Sequence, residues 1–585
     1  MKLQFKHQKF QADAARAVCD VFTGQPFATH SYMVDPGKAV NGQGELFKES
    51  GFANELLTGY LTPEVMLSRI QKMQRAQQIK PSDTLVGPGI NLTIEMETGV
   101  GKTYTYIKTI YELNKLYGWC KFIIVVPSIA IREGVYKSFQ ITQDHFNDEY
   151  GKKIRFFIYN SSKLSDISHF AQDSSINCMI INSQAFNAKG ADARRIYMEL
   201  DEFRSRKPID VIAKTNPILI IDEPQSVEGK QTKERLKEFH PLMTLRYSAT
   251  HKADSIYNMV YRLDAVEAYN QQLVKKIAVK AIHTTGTTGT SGYLYLQNLI
   301  LSPTKPPQAV LEFEVKGKEK VRKEVHRLGE GANIYELSQY DKNSEGIDAY
   351  KDRYIIKRID GRDNSVEFLN GIKLYAGDVS GANEAEEQVR RLQIRETIIT
   401  HLERERQLFH KGIKVLSLFF IDEVAKYKVY ENSVAKNGIY ADIFEEEYNA
   451  IVQNYLNELA FDEAFQNYLR NISADATHAG YFSIDKKSKQ MIDGKIDKKE
   501  GRSDDTDAYD LIMTNKERLL DRSEPVRFIF SHSALREGWD NPNVFQICTL
   551  KQSSAEVRKR QEVGRGLRLC VNQFGERQDA SVLGG

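Results

Sequence analysis

The segment Glu97-Thr98-Gly99-Val100-Gly101-Lys102-Thr103 constrains the fold more than any other stretch of this chain, because it joins a glycine-rich turn directly to a helical pattern. Tyr106, Ile110, Leu113 and Tyr117 recur at helical spacing just after it. Glycines let a backbone wrap a phosphate chain, and the positive end of a helix dipole favours the anion. About 120 residues further on, Ile218-Leu-Ile-Ile-Asp222-Glu223 is an apolar run that ends in two acids. Such a run predicts a parallel strand buried on both faces, with Asp222 and Glu223 delivered to the carboxyl edge of the sheet, where folds of this type bind ligands. Lys121-Phe-Ile-Ile-Val-Val-Pro127 and Asn177-Cys-Met-Ile-Ile181 read the same way. Residues 1–278 are therefore expected to form a first, doubly wound α/β domain, whose α/β texture ends near Thr250.

Each residue type has a chemical reason to be where it stands. Thr98, Gly99 and Gly101 would cradle phosphates, Lys102 would reach the β/γ-phosphates of ATP, and Thr103 would ligate Mg²⁺. Asp222 would hold the same ion through water, and Glu223 would orient the attacking water. Met96 occupies the place of the usual first glycine of such a loop. Pro224 could make Asp222-Glu223 an ordinary turn, but the glycine loop upstream favours the nucleotide reading. Gln11, in Phe10-Gln-Ala-Asp-Ala-Ala, is a candidate for an adenine edge, against the plainer reading of a surface glutamine. Ser248-Ala249-Thr250 is a weak signal for a segment that couples hydrolysis to movement.

After about residue 278 the texture changes. Ala309–Val315, Tyr354–Ile359 and Val366–Leu374 are β-branched or glycine-punctuated runs that predict a β-rich insertion over 279–382. A charged helical segment then leads to Ile413-Lys-Val-Leu-Ser-Leu-Phe-Phe420, the opening strand of a second α/β domain built from 383–423 and 521–585. Residues 424–520 are expected to interrupt it with helices and a charged loop carrying Lys486, Lys487 and Lys489. In this second domain lie Arg536-Glu-Gly538-Trp-Asp540 and Gln561-Glu-Val-Gly564-Arg565-Gly566-Leu-Arg568. Gly538, Asp540 and Gln561 are candidate nucleotide contacts. Arg565 and Arg568 are candidate arginine fingers, a role worth about 10³–10⁵ in rate in phosphoryl transfer. A basic helix face would also account for two arginines, but not for the whole Gln-x-x-Gly-Arg-x-x-Arg pattern.

Composition sets limits. The chain has 585 residues, too many for one core. A net charge of +3 leaves any nucleic-acid site to local grooves. The five cysteines, Cys19, Cys120, Cys178, Cys548 and Cys570, never form a C-x-x-C pair, which argues against a zinc knuckle and fits a reducing, cytoplasmic setting. No uninterrupted apolar stretch approaches the ~18 residues of a membrane span.

Together these motifs resemble superfamily 2 helicases, and more narrowly the Res subunits of type III restriction–modification systems. Whole phrases carry the resemblance: Phe-Lys-His-Gln-Lys-Phe-Gln at 5–11, Glu-Met-Glu-Thr-Gly-Val-Gly-Lys-Thr-Tyr at 95–104, Asp-Glu-Pro-Gln at 222–225, Arg-Tyr-Ser-Ala-Thr-His at 246–251 and Phe530–Pro542. The resemblance implies two RecA-like P-loop NTPase domains with parallel sheets, ATP and Mg²⁺, double-stranded DNA, and a methyltransferase (Mod) partner that reads the DNA site. It implies a motor that switches and travels along duplex DNA more than one that separates strands. By likeness to such motors, Ser128, Arg132 and Ser183 are candidates for phosphate-backbone contacts. The nuclease of this family lies C-terminal to the motor, so none is expected within the 585 residues given. Glu314-Val-Lys316 lacks the upstream Pro-Asp of such a nuclease and reads as a strand of the β-rich insertion with an exposed charged face. A stand-alone superfamily 2 ATPase in repair or phage defence is the alternative expectation.

Overall fold

The computed structural model describes residues 5–29, 31–35, 49–187, 192–199, 206–227, 229–249, 251, 255–280, 283–285, 293–317, 321–341, 344–380, 386–431, 434–458, 462–484, 491–492, 496–497, 502–503, 516–532, 541–551, 559 and 562–580. Thr250, Lys486, Lys487, Lys489, Arg536, Gly538, Asp540 and Gln561 lie outside the described residues. Two compact units emerge. One comprises 1–276, 400–438 and 459–585, and the other 277–399 and 439–458.

The first unit holds two parallel sheets. The larger has seven strands in the order Arg155–Ile158, Asn177–Asn182, Lys121–Val126, Ile218–Asp222, Met243–Ser248, Asn91–Met96 and Asn258–Leu263. Every neighbouring pair runs parallel. The continuous apolar runs explain why: alternate side chains go to opposite faces, and both faces need cover. On one face Phe122, Ile124, Cys178, Ile180, Ile218 and Ile220 join Ile107 and Ile110 of the helix Lys102–Tyr117. On the other, Ile123, Val125, Met179, Ile181, Leu219 and Ile221 pack with Ile209 and Ile212 of the helix Pro208–Ala213.

The smaller sheet has the order His478–Tyr481, Phe528–Ser531, Leu416–Phe420 and Val544–Thr549, again all parallel. Its edge strand His478–Tyr481 comes from within the segment expected to be a helical and charged insertion. Beneath it Arg527 is fully buried and ion-pairs with Glu405, while its Nε donates to Thr477 Oγ1 at 3.0 Å. Two RecA-like α/β domains thus account for the first unit, as the apolar runs and the resemblance implied.

The second unit is β-rich. Its five-stranded sheet, ordered His283–Thr285, Asp378–Ser380, Leu294–Ile300, Gln308–Lys316 and Val321–Leu328, is antiparallel except at the first pair. A three-stranded sheet from Ile356–Asp360, Ser365–Phe368 and Lys373–Tyr375 accompanies it. Helix Ile439–Glu458 joins this unit through ion pairs of Glu447 with Arg391 at 3.0 Å and with Arg395 at 2.6 Å. Glu314 lies in the antiparallel sheet opposite Lys323, and its backbone N–H donates to Tyr350 Oη at 3.0 Å. Among the described residues no helix is long and apolar enough to cross a membrane.

Candidate nucleotide site

The glycine loop lies between the strand Asn91–Met96 and the helix Lys102–Tyr117. Gly99 and Gly101 have φ of 89° and 93°, a left-handed conformation that a side chain disfavours. Thr98 N–H donates to Glu97 Oε1 at 2.6 Å, and Thr105 N–H donates to Gly101 O at 3.0 Å. Gln11 is buried, and its Nε2 donates to Val100 O at 2.9 Å. It braces the loop from the first helix and is not a surface glutamine. The brace is close enough that a Cβ on Gly101 would fall 2.7 Å from Gln11 Nε2.

At the other side of the loop, Lys102 Nζ lies 3.0 Å from Glu223 Oε1. Asp222 ends its strand buried, with Tyr106 Oη 3.4 Å from Oδ2. Glu223 has φ of 53°, so the chain turns sharply at the sheet edge. The other oxygen of its carboxylate, Oε2, accepts from Gln225 Nε2 at 2.5 Å and from Ser248 Oγ at 2.8 Å. Ser248 is thereby tied to the acid pair, as its position at the end of the neighbouring strand allows. The two carboxyls are electrostatically unequal. Burial, and then the charge of Glu223, push Asp222 well above the usual carboxylate range. Burial also works against charge on Glu223, but Lys102 and the donors Gln225 and Ser248 overcome it and hold Glu223 below that range.

The arginine segment touches this loop. A Cβ placed on Gly99 would meet Arg568 Cγ and its backbone N at 3.2 Å, and one on Gly564 would meet Thr98 Cγ2 at 2.8 Å. Arg565 follows directly, its N–H donating to Glu562 O at 3.2 Å. The segment is anchored from the first domain's exit. Val274 bridges Arg568, and Lys275 N–H donates to Leu567 O at 2.8 Å. The Lys275 ammonium donates to Pro542 O at 2.6 Å and Val544 O at 2.7 Å, and lies over the Phe545 ring at 4.2 Å. Pairing at such sequence separation left no local signal for the roles of Tyr106 and Lys275.

The nucleic-acid candidates are differently placed. Ser128 caps the helix Ile129–Tyr150 by accepting from Ile131 N–H, Arg132 pairs with Glu133 at 2.7 Å, and Ser183 is fully buried.

Two parallel sheets, a glycine loop facing two strand-end acids and an arginine segment against that loop define the class: a phosphate-loop fold built on two RecA-like α/β domains. Residues 64–253 match the family model described as "Type III restriction enzyme, res subunit". Over 539 residues the chain is 32% identical to the EcoPI Res subunit of Escherichia phage P1, covering 88% of this chain and 51% of that protein. It is likewise 32% identical to the EcoP15I Res subunit of Escherichia coli, over 88% of this chain and 52% of that one. The chain is similar to these Res subunits, and it spans about half the length of the curated relatives it matches. Among solved structures, the DNA-bound Type ISP enzyme LlaBIII is similar at 11% identity and a TM-score of 0.36, over 89% of this chain and 27% of that one.

Proposed function

We propose that this chain is the ATP-hydrolysing motor of a type III restriction enzyme, a Res subunit that moves on duplex DNA with a methyltransferase (Mod) partner in the cytoplasm. The observation that carries the reading is the Lys102–Glu223 contact at 3.0 Å, with buried Asp222 beside it and Arg568 packed on the same loop. Lys102 neutralises Glu223. A bound triphosphate draws Lys102 onto its β/γ-oxygens, and Glu223 is released to accept a proton from water that it orients. Gln225 and Ser248 keep that carboxylate aimed during the exchange.

The donor set suits Mg²⁺. Thr103 offers a hydroxyl next to Lys102, and Asp222 is a buried carboxyl whose charged form is penalised by burial and then by Glu223, so a cation beside it is stabilising. Thr103 and Asp222 would hold the ion, which supplies neutralising charge to the phosphates. Arg565 and Arg568 would meet the γ-phosphate across the loop, which makes hydrolysis depend on how closely the two α/β domains approach. Gln11 acts here through the loop, by fixing Val100, and its own contact with an adenine is part of the proposal.

Steady-state ATP hydrolysis by the purified chain, with and without duplex DNA and the methyltransferase, tests this. Hydrolysis that Lys102→Ala abolishes is the expected result. A folded chain that hydrolyses ATP equally well with and without Lys102 contradicts it.

A further inference from the structure

We infer that His7, His145 and Glu149 form a binding site for a first-row divalent metal ion, with Zn²⁺ the best chemical match. The site lies outside the proposed hydrolytic machinery and does not depend on it. His145 and Glu149 are four residues apart on the helix Ile129–Tyr150, which puts both on one face, a spacing well suited to chelation. His7 reaches them from the segment that leads into the helix Lys9–Val21. One donor atom from each of the three lies within 4.8 Å of the other two. His7 Nδ1 is 3.7 Å from Glu149 Oε2, and the two imidazoles are 5.0 Å apart by ring centroid. A cavity of about 230 Å³ opens beside them, lined by His7, Gln8, Ala12, Tyr104, Lys108 and Glu149.

Two imidazoles and one carboxylate are the donor types that Zn²⁺ takes at about 2.0–2.2 Å, and three protein ligands leave a fourth position for water. Closing around an ion requires the donors to draw together by roughly 1 Å at such bond lengths. His7 can supply that movement, since its side chain is 63% exposed. Tyr104 Oη, 2.7 Å from His145 Nε2, orients the second imidazole as outer contacts do for metal-bound histidines. One group opposes binding: the Lys108 ammonium lies 2.5 Å from Glu149 Oε1. It also donates to Tyr150 Oη at 3.0 Å, so it has another partner to keep. An ion here would tie His7 to the helix Ile129–Tyr150, four residues before Gln11.

Equilibrium dialysis of the purified chain against Zn²⁺, with elemental analysis of bound metal, tests the site without reference to ATP. The expected result is one ion whose affinity falls about tenfold or more in His7→Ala, His145→Ala and Glu149→Gln. His240→Ala, outside the cluster, leaves that ion unchanged, and Lys108→Met tightens it by removing the competing charge. Because His7 is exposed, His7→Ala reads the loss of a ligand without disturbing the core. An ion that survives both His7→Ala and Glu149→Gln at full affinity, or a wild-type chain that holds none, overturns the proposal.

Discussion

Replacing Gly564 by alanine tests the contact between the arginine segment and the phosphate loop with a single methyl group. The added Cβ would stand 2.8 Å from Thr98 Cγ2, whereas carbon atoms rest at about 3.5–4.0 Å. The segment must therefore retreat from the loop by roughly 0.7 Å or more. Gly564 needs no left-handed backbone, so the substitution strains nothing locally and the second domain should fold as before. A misplacement on the order of 1 Å in a catalytic constellation costs about 10²-fold, and Arg565 and Arg568 move with the segment. We expect kcat for ATP hydrolysis to fall about 10²-fold while nucleotide affinity, read by a fluorescent ATP analogue, stays within about threefold. Gly566→Ala is the matched control: its Cβ meets the end of Ile547 at 3.3 Å, a tip that can yield. If Gly564→Ala hydrolysed ATP as fast as Gly566→Ala, the reasoning would be refuted.

Lys275→Met should leave the carbonyls of Pro542 and Val544 without their ammonium donor, destabilising the chain by about 1–3 kcal/mol and lowering kcat more than it changes KM, as thermal melts and steady-state kinetics would read. Glu405→Gln leaves the buried Arg527 guanidinium uncompensated and should cost about 3–5 kcal/mol in denaturant unfolding at neutral pH. That difference has a pH signature. Burial would raise the Glu405 pKa, but Arg527 and His401 bring it down to about 2, so its stabilisation is complete above the ordinary value near 4.5 and is lost as pH falls toward 2. Acid titration of wild type and Glu405→Gln should show the gap closing in that window, and a gap constant down to pH ~2 would count against the pair. Gly101→Ala combines a φ of 93° with a Cβ 2.7 Å from Gln11 Nε2, so nucleotide binding should weaken at least tenfold, whereas Gly151→Ala, in open space at the end of a helix, should leave it unchanged.

The sequence made the two parallel sheets readable because their central strands are buried on both faces, and such burial demands apolar runs, at 122–126, 178–181 and 218–221 in the larger sheet and at 418–420 and 528–530 in the smaller. The glycine loop and the strand-end acids were readable because their chemistry is local. What was not readable depends on pairing across the chain. Gln11 reads from sequence as an adenine-edge candidate against a surface glutamine, and neither reading foresees that Val100 O, 89 positions away, accepts from it. The strand His478–Tyr481 is only four residues long and lies among helical and charged segments, so no periodicity marked it as the edge of the second sheet. Ser128 and Ser183 were chosen by likeness to other motors, and neither a helix cap nor complete burial can be seen from a serine's neighbours in sequence.

The most direct test of the account compares binding and hydrolysis of ATP in Glu223→Gln. The isostere keeps the shape at the sheet edge but cannot accept the proton of water, and it removes the charge that holds Lys102 in the free chain. The account predicts ATP affinity equal to or tighter than that of wild type, with hydrolysis reduced by at least about 10²-fold. Hydrolysis at the wild-type rate in Glu223→Gln, with duplex DNA present and ATP bound, would contradict it.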